Sequence, residues 1–160
     1  MGKIIINESA TQMLEEFSKQ SVPLINLCEP KVLELNRDSC TILLPLNKLT
    51  KNHLNSMYFG ALAIGADCAG GLIAFSFMQE KRVDVALVFK DFSAQFIKRA
   101  EHDVIFRCDD GPQIVAAMIE TIQTKKRVHI PVKIIASSKG EQLDLEKIAD
   151  FSMTLSLKGR

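Results

Sequence analysis

Residues 57–78 read MYFGALAIGADCAGGLIAFSFM, and this apolar stretch decides the fold. A helix that is apolar on nearly every side is buried on nearly every side. Its many Ala and Gly residues allow a sheet to approach closely, so we predict a central helix over about residues 56–78. Asn55 or Ser56 is suited to cap the start of that helix.

Bulk composition is that of a folded soluble domain. The chain has 160 residues, 47% of them hydrophobic and 24% charged, which predicts one domain over residues 1–160. Its 20 basic and 19 acidic residues give no global attraction for nucleic acid or for an anionic membrane. The four cysteines lack zinc-site spacing, so we expect reduced core thiols in a cytoplasmic protein and no metal site.

The apolar stretch is also long enough to span a bilayer. A charged residue at its middle, four glycines, and the lack of a one-sided Lys/Arg cluster at its flanks all argue against a membrane span. The opening residues, MGKIIINES, lack the apolar core and cleavage site of a secretory signal. We therefore expect no membrane association.

Periodicity predicts the other elements. Apolar residues at helical spacing predict short helices over residues 9–20 and about 112–124. The chain from 24 to 46 is predicted to be extended around a turn at 37–39. Alternating apolar residues predict strands at 40–46, 83–96, 104–108, 128–134 and 151–157. A phase slip predicts a β-bulge near 90–91, and a hairpin turn is expected around 138–140.

This inventory predicts an α+β protein in which an antiparallel sheet curls around one central helix. Asp67 is the only charged residue of that helix core. An ionised carboxylate in apolar surroundings is costly unless it is paired or its pKa rises, so Asp67 is a candidate for chemistry. The alternative is a structural carboxylate satisfied by backbone donors or a neighbouring cation.

Asn52, His53, Tyr58, Phe59 and Gly60, followed by Asp67, resemble the active-site region of hotdog-fold thioesterases. The similarity is to the PaaI-like branch and to the DUF4442 (YiiD C-terminal-like) families. It rests on an Asn before the central helix, a Gly in its first turn, and a carboxylate two turns further on. The segment at 126–132, KRVHIPV, also resembles the later part of DUF4442 sequences.

The resemblance implies roles for single residues. Asp67 takes the place of the catalytic carboxylate, and Asn52 that of the residue that positions water or the thioester. Gly60 matches the second glycine of the family's His-Gly-Gly start. Tyr58 stands where many PaaI-like members have His, and Phe59 stands where they have the first Gly.

Elementary chemistry is compatible with those roles. Thioester hydrolysis develops negative charge on the carbonyl oxygen, and the first N–H groups of a helix have no intrahelical acceptor. We expect the Phe59 and Gly60 amides to be oxyanion donors, and His53 and Tyr58 to contact substrate. Asp67 would act as base or nucleophile. Asn52 has an alternative role as a turn residue.

The implied activity is hydrolysis of an acyl thioester carried by coenzyme A or acyl-carrier protein, with no cofactor beyond coenzyme A as part of the substrate. Two alternatives stay open. One is an acyl-ligand binding module without catalysis, and the other is dehydration or decarboxylation on the same scaffold. The resemblance also implies a homodimer that pairs into a tetramer, with Asp67 acting across the subunit interface.

Overall fold

A computed structural model describes residues 4–140 and 144–160 of the chain. The helices are α1 (Glu8–Ser21), α2 (Pro23–Leu27), α3 (Phe59–Lys81) and α4 (Gly111–Thr124). The strands are β1 (Lys31–Leu35), β2 (Cys40–Leu44), β3 (Val85–Phe96), β4 (Val104–Cys108), β5 (Arg127–Lys139) and β6 (Leu145–Gly159). They form one antiparallel sheet in the order β1-β2-β4-β5-β6-β3. The predicted α+β architecture is confirmed.

Helix α3 is the central core helix, and its glycines bring it close to the sheet. A Cβ added to Gly65 would lie 2.2 Å from the buried ring of Phe106, and one added to Gly70 would lie 2.8 Å from Met153. Of its most apolar 18-residue window, 67% is buried. The helix is long and apolar enough to span a bilayer, but it serves here as the core of a folded domain.

Strands β2 to β6 overlap the segments in which the apolar alternation predicted strands. The expected bulge is present, because the pairing of β3 with β6 slips between Phe89 and Asp91. All four cysteines are buried and free. Two of them, Cys40 and Cys108, are directly paired across β2 and β4, with both side chains fully buried. This agrees with the prediction of core thiols.

Three local predictions were wrong: the conformation of the segment that begins at residue 24, the cap of α3, and the position of the β5–β6 turn. The segment expected to be extended from residue 24 begins with the short helix α2, because Pro23 presets the first helical turn and Ile25 is buried. Neither Asn55 nor Ser56 caps α3, which begins at Phe59 with Tyr58 as its N-cap. Both residues belong instead to a compact loop closed by a bridge between Lys51 and Met57.

The β5–β6 connection also differs from expectation. The turn was expected around residues 138–140, but β5 continues through Lys139. The Gly140 N–H then donates to the Asp144 carbonyl at 2.8 Å. Residues 141–143 lie outside the described part of the chain.

The two edges of the sheet differ in their protection. At the β1 edge, the Val32 N–H donates to Thr11 Oγ1 at 2.9 Å, and the Val32 carbonyl accepts from the Asn7 N–H at 2.8 Å. The start of α1 therefore covers that edge. Within the described residues, nothing comparable covers the outer side of β3 between Ala86 and Phe96. An uncovered edge of this length is a site for pairing with another strand.

The glycines of α3 give a matched pair of stability predictions. We expect Gly71→Ala to raise the free energy of unfolding by about 0.5–1 kcal/mol, because Ala is the better helix former. The added Cβ would sit 3.7 Å from Phe89, an ordinary contact. We expect Gly65→Ala to lower stability by about 1–3 kcal/mol, because the Phe106 ring is buried and must shift. Urea denaturation measures both, and equal effects would contradict this account of the helix–sheet contact.

Candidate active site

Asp67 lies in the middle of α3 and carries no interaction that neutralises it. No described residue donates a hydrogen bond to its carboxylate, and no described cation lies within ion-pair distance. Burial raises the pKa of the Asp67 carboxyl above its ordinary value. Among the described residues no side-chain polar atom is both fully buried and unpaired, so these oxygens keep accessible surface. The carboxylate is desolvated and still reachable.

Asp67 lines a cavity of about 760 Å³. The cavity lies between α3, the helices α1 and α2, and the first half of β3. Most of its lining is apolar, and its volume falls within the range of small-molecule sites. Cys68 also lines it, but burial raises the pKa of this thiol well above its ordinary value, so it is not an activated nucleophile. Asp67 is the one charged residue of α3 that lines the cavity.

The start of α3 offers free backbone donors. The Tyr58 N–H is taken by the Thr50 carbonyl at 2.8 Å, and the first intrahelical bond runs from the Leu62 N–H to the Tyr58 carbonyl at 3.1 Å. The N–H groups of Phe59, Gly60 and Ala61 therefore have no acceptor among the described residues. They lie at the positive end of the helix dipole, where an oxyanion is stabilised.

The Tyr58 side chain lies beside Gly60 in the first turn of α3. A Cβ added to Gly60 would lie 2.4 Å from the Tyr58 ring, so the glycine makes room for the aromatic ring on the first turn. The rings of Tyr58 and Phe59 are tilted with their centroids 4.9 Å apart. Both remain exposed, at 48% and 62%. The departure from a His-Gly start thus places two exposed aromatic rings at the helix N-terminus.

Asn52 organises the loop before the helix. Its Oδ1 accepts hydrogen bonds from the Leu54 N–H at 2.9 Å, the Ser56 N–H at 3.2 Å and Ser56 Oγ at 3.3 Å. The side-chain NH₂ group has no acceptor among the described residues and is the part left for a ligand. His53 is exposed in the same loop, next to Asn52.

The predicted residues thus form two groups, one in the loop and first turn at the start of α3 and one in the middle of that helix. Asn52, His53, Tyr58, Phe59 and Gly60 lie together at the start of α3. Asp67 follows Gly60 by seven residues, which is almost two full turns and roughly 10 Å along the axis. Both point to the same side of the helix, but one subunit does not bring them within reach of a single carbonyl group.

The helices α1 and α2 contribute a wall of the cavity that the sequence did not assign. Leu14, Phe17 and Ile25 line it, and the Phe17 ring packs on Phe75 of α3 with centroids 4.5 Å apart. The apolar stripe of α1 was visible in the sequence, but the surface that it packs against was not. An amphipathic pattern indicates which side of a helix is covered and not what covers it.

Within the described part of the chain, no group of three or more His, Cys, Asp or Glu side chains is arranged to hold a metal ion.

The raised pKa of Asp67 has a consequence for stability. Relative to the ionised form, the neutral Asp67 carboxyl contributes stability to the folded protein. This contribution is fully present below the unfolded pKa, near 4, and is lost as the pH rises through the higher folded pKa. We therefore expect Asp67→Asn to be more stable than wild type at pH 8, with a difference that disappears at about pH 4 and below. Chemical denaturation at both pH values measures this. A less stable Asp67→Asn protein at pH 8 would mean that core contacts hold the carboxylate.

Comparison with known proteins identifies relatives of this fold. The family model described as "Domain of unknown function (DUF4442)" matches residues 10–147. A protein of unknown function from Chlorobaculum tepidum has a TM-score of 0.79 at 12% identity, covering 98% of this chain and 99% of that chain. A thioesterase family protein from Silicibacter pomeroyi has a TM-score of 0.68 at 17% identity, covering 94% and 99%.

A thioesterase from Haemophilus influenzae has a TM-score of 0.63 at 13% identity, covering 93% of this chain and 90% of that chain. At such identities the likeness establishes the fold, which is the hotdog fold of these thioesterase structures. Among curated protein sequences, none matches this chain.

Proposed function

The chain belongs to the DUF4442 family, and we propose that it is an acyl-thioester hydrolase acting on acyl groups carried by coenzyme A or acyl-carrier protein. One observation carries the proposal. The only charged residue in the apolar part of the core helix, Asp67, lies unpaired, among the described residues, on the wall of an apolar cavity. A structural carboxylate at such a depth would be expected to have a donor or a cation beside it.

The proposed mechanism uses Asp67 and the start of α3 together. Asp67 removes a proton from water, which attacks the thioester carbon, or Asp67 attacks that carbon itself to give an anhydride that water then hydrolyses; its raised pKa makes it a stronger base than a solvated aspartate. In either route the C–S bond breaks and the thiolate leaves as a thiol after taking up a proton. The free amides of Phe59 and Gly60 receive the developing charge on the carbonyl oxygen. The Asn52 NH₂ group and His53 would orient water or substrate at the same helix end.

The 10 Å gap along α3 leads us to propose that two subunits complete the site. Phe92 and Phe96 of β3 stay 47% and 52% exposed, although their strand partners Met153 and Ala149 are buried. Directly paired residues lie on the same sheet face, so the two Phe side chains occupy the helix side of the sheet without a helix above them. Pairing of β3 with a second copy would cover this surface and bring the partner's α3 near Asp67. A tetramer of such dimers is the larger assembly that the family resemblance implies.

A binding protein without catalysis is the second candidate, and the Tyr58 ring favours it. The ring lies beside Gly60 in the first turn of α3, close to the free amides that a thioester carbonyl would have to approach. The two candidates differ in a single experiment. Wild-type protein is incubated with acyl-CoA esters from acetyl to palmitoyl, and both ligand binding and release of free thiol are measured. Thiol release supports the hydrolase, whereas tight binding of intact esters supports the binding protein.

A further inference from the structure

The cavity beside Asp67 extends along α3 in one direction from this residue. The α3 residues on its wall follow one another from Asp67 through Gly71 and Phe75 to Met78. Eleven residues of helix correspond to roughly 16 Å. The cavity therefore starts at the carboxylate and extends along α3 toward the C-terminal end of the helix, away from the free amides.

The chemistry of the wall changes along this path. Beyond Asp67 the lining is almost wholly apolar, with Phe17 and Phe75 packed against each other and Leu87 and Phe89 on the β3 side. Charges return only at the far end, where Arg160 and Asp84 are 3.8 Å apart and mostly exposed. A ligand that fills this space needs one polar head and a long apolar body.

The length identifies the class of acyl group. One leaflet of a bilayer's hydrocarbon core, about 15 Å thick, is filled by single chains of membrane lipids. The cavity has nearly the same length. Resting on the proposed function, we propose that the substrate is a long-chain aliphatic acyl thioester, with its carbonyl group beside Asp67 and its chain running along α3 toward Met78.

The charge at the head end discriminates between related ligands. A free fatty acid would place its carboxylate beside that of Asp67, and like charges at close range repel. A thioester carbonyl is neutral and does not incur this repulsion. The site therefore favours the thioester over the fatty acid that hydrolysis produces, which helps release of the product.

Gly71 offers a way to shorten the cavity. It lies four residues beyond Asp67, roughly 6 Å along the axis, and a Cβ there would meet only ordinary contacts at 3.7 Å and beyond. The leucine side chain of Gly71→Leu would fill the cavity about one helical turn from Asp67, toward the C-terminal end of α3. Gln79→Leu is the matched control, because it adds the same side chain to an exposed position of α3 outside the cavity.

The experiment measures binding of S-alkyl coenzyme A thioethers, from butyl to octadecyl, which are not hydrolysed. In the wild type and in Gln79→Leu, affinity is expected to rise roughly fourfold per methylene until the cavity is full. In Gly71→Leu the rise is expected to stop at short chains. A second variant, Phe17→Ala, changes the opposite wall and is expected to weaken binding of long chains while leaving short chains unaffected.

Wild-type affinity that does not depend on chain length would overturn the proposal, and so would Gly71→Leu and Phe17→Ala proteins that both keep the wild-type profile. The proposed function fails separately. A chain-length rise in binding without any hydrolysis of the corresponding thioesters would reject the hydrolase and support the long-chain assignment. Hydrolysis that proceeds equally on all chain lengths, with no change in Gly71→Leu, would support the hydrolase and reject the long-chain assignment.

Discussion

Asp67→Asn is expected to lower the rate of acyl-CoA hydrolysis roughly 10²–10⁴-fold, which is the usual contribution of a positioned general base. Asn has nearly the same shape as Asp but cannot accept a proton at neutral pH. The fold should survive, because no described side chain depends on the Asp67 carboxylate for a hydrogen bond or an ion pair. Thiol release from acyl-CoA, measured beside the far-UV circular dichroism of the same samples, tests both statements.

The matched control is Glu80→Gln, which removes a carboxylate from the exposed end of the same helix. Glu80 is about half exposed and pairs with Arg37 at 2.7 Å on the surface. Its loss should leave hydrolysis unchanged and alter stability only slightly, as is usual for a surface ion pair. Hydrolysis by Asp67→Asn within a few-fold of wild type would remove Asp67 from the mechanism.

Phe92→Lys is expected to dissociate the proposed dimer and abolish most of the hydrolysis with it. Phe92 is 47% exposed on the uncovered edge strand, and a charge buried in an interface carries a large desolvation cost. Within one subunit Asp67 and the free amides are too far apart to act on the same carbonyl group. A monomer would therefore have both parts of the site but no complete site. Analytical ultracentrifugation and thiol release on the same protein measure the two effects.

Ile135→Lys is the control for Phe92→Lys. Ile135 has the same 47% exposure but lies on β5, an inner strand that is paired on both sides. We expect this variant to keep the dimer and its activity. A Phe92→Lys protein that sediments as wild type does and hydrolyses at the wild-type rate would contradict the proposed interface.

Much of the fold was predictable because the deciding signals are local. The apolar stretch at residues 57–78 contains most of α3, and the phase slip near Lys90 marks the bulge of β3. Local signals failed where two uses of one residue compete. Asn55 and Ser56 are good capping residues, but the loop bridge between Lys51 and Met57 occupies this segment and delays the helix to Phe59.

The candidate site was predictable only in part. Asp67 stands out because a solitary charge in an apolar helix needs an explanation, whatever the fold. The turn-forming role of Asn52, with its Oδ1 engaged by Leu54 and Ser56, was an open alternative that composition alone could not decide. The position of α1 and α2 against Phe75 depends on contacts between residues distant in sequence, so the cavity and its length had no local signal.

Mixing two inactive variants tests the shared site most directly. Asp67→Asn removes the base, and Gly60→Leu fills the space beside the free amides. The Gly60→Leu fold should survive, because the Tyr58 ring that its Cβ meets is half exposed and free to turn aside. Each variant alone should be inactive.

The two variants are unfolded together and refolded to exchange their subunits. In a mixed dimer, one site receives Asp67 from the Gly60→Leu subunit and intact amides from the Asp67→Asn subunit. We predict that the mixture recovers about a quarter of wild-type hydrolysis, since half of the randomly paired dimers are mixed and each has one complete site of two. A mixture that exchanges subunits and stays inactive would contradict the account.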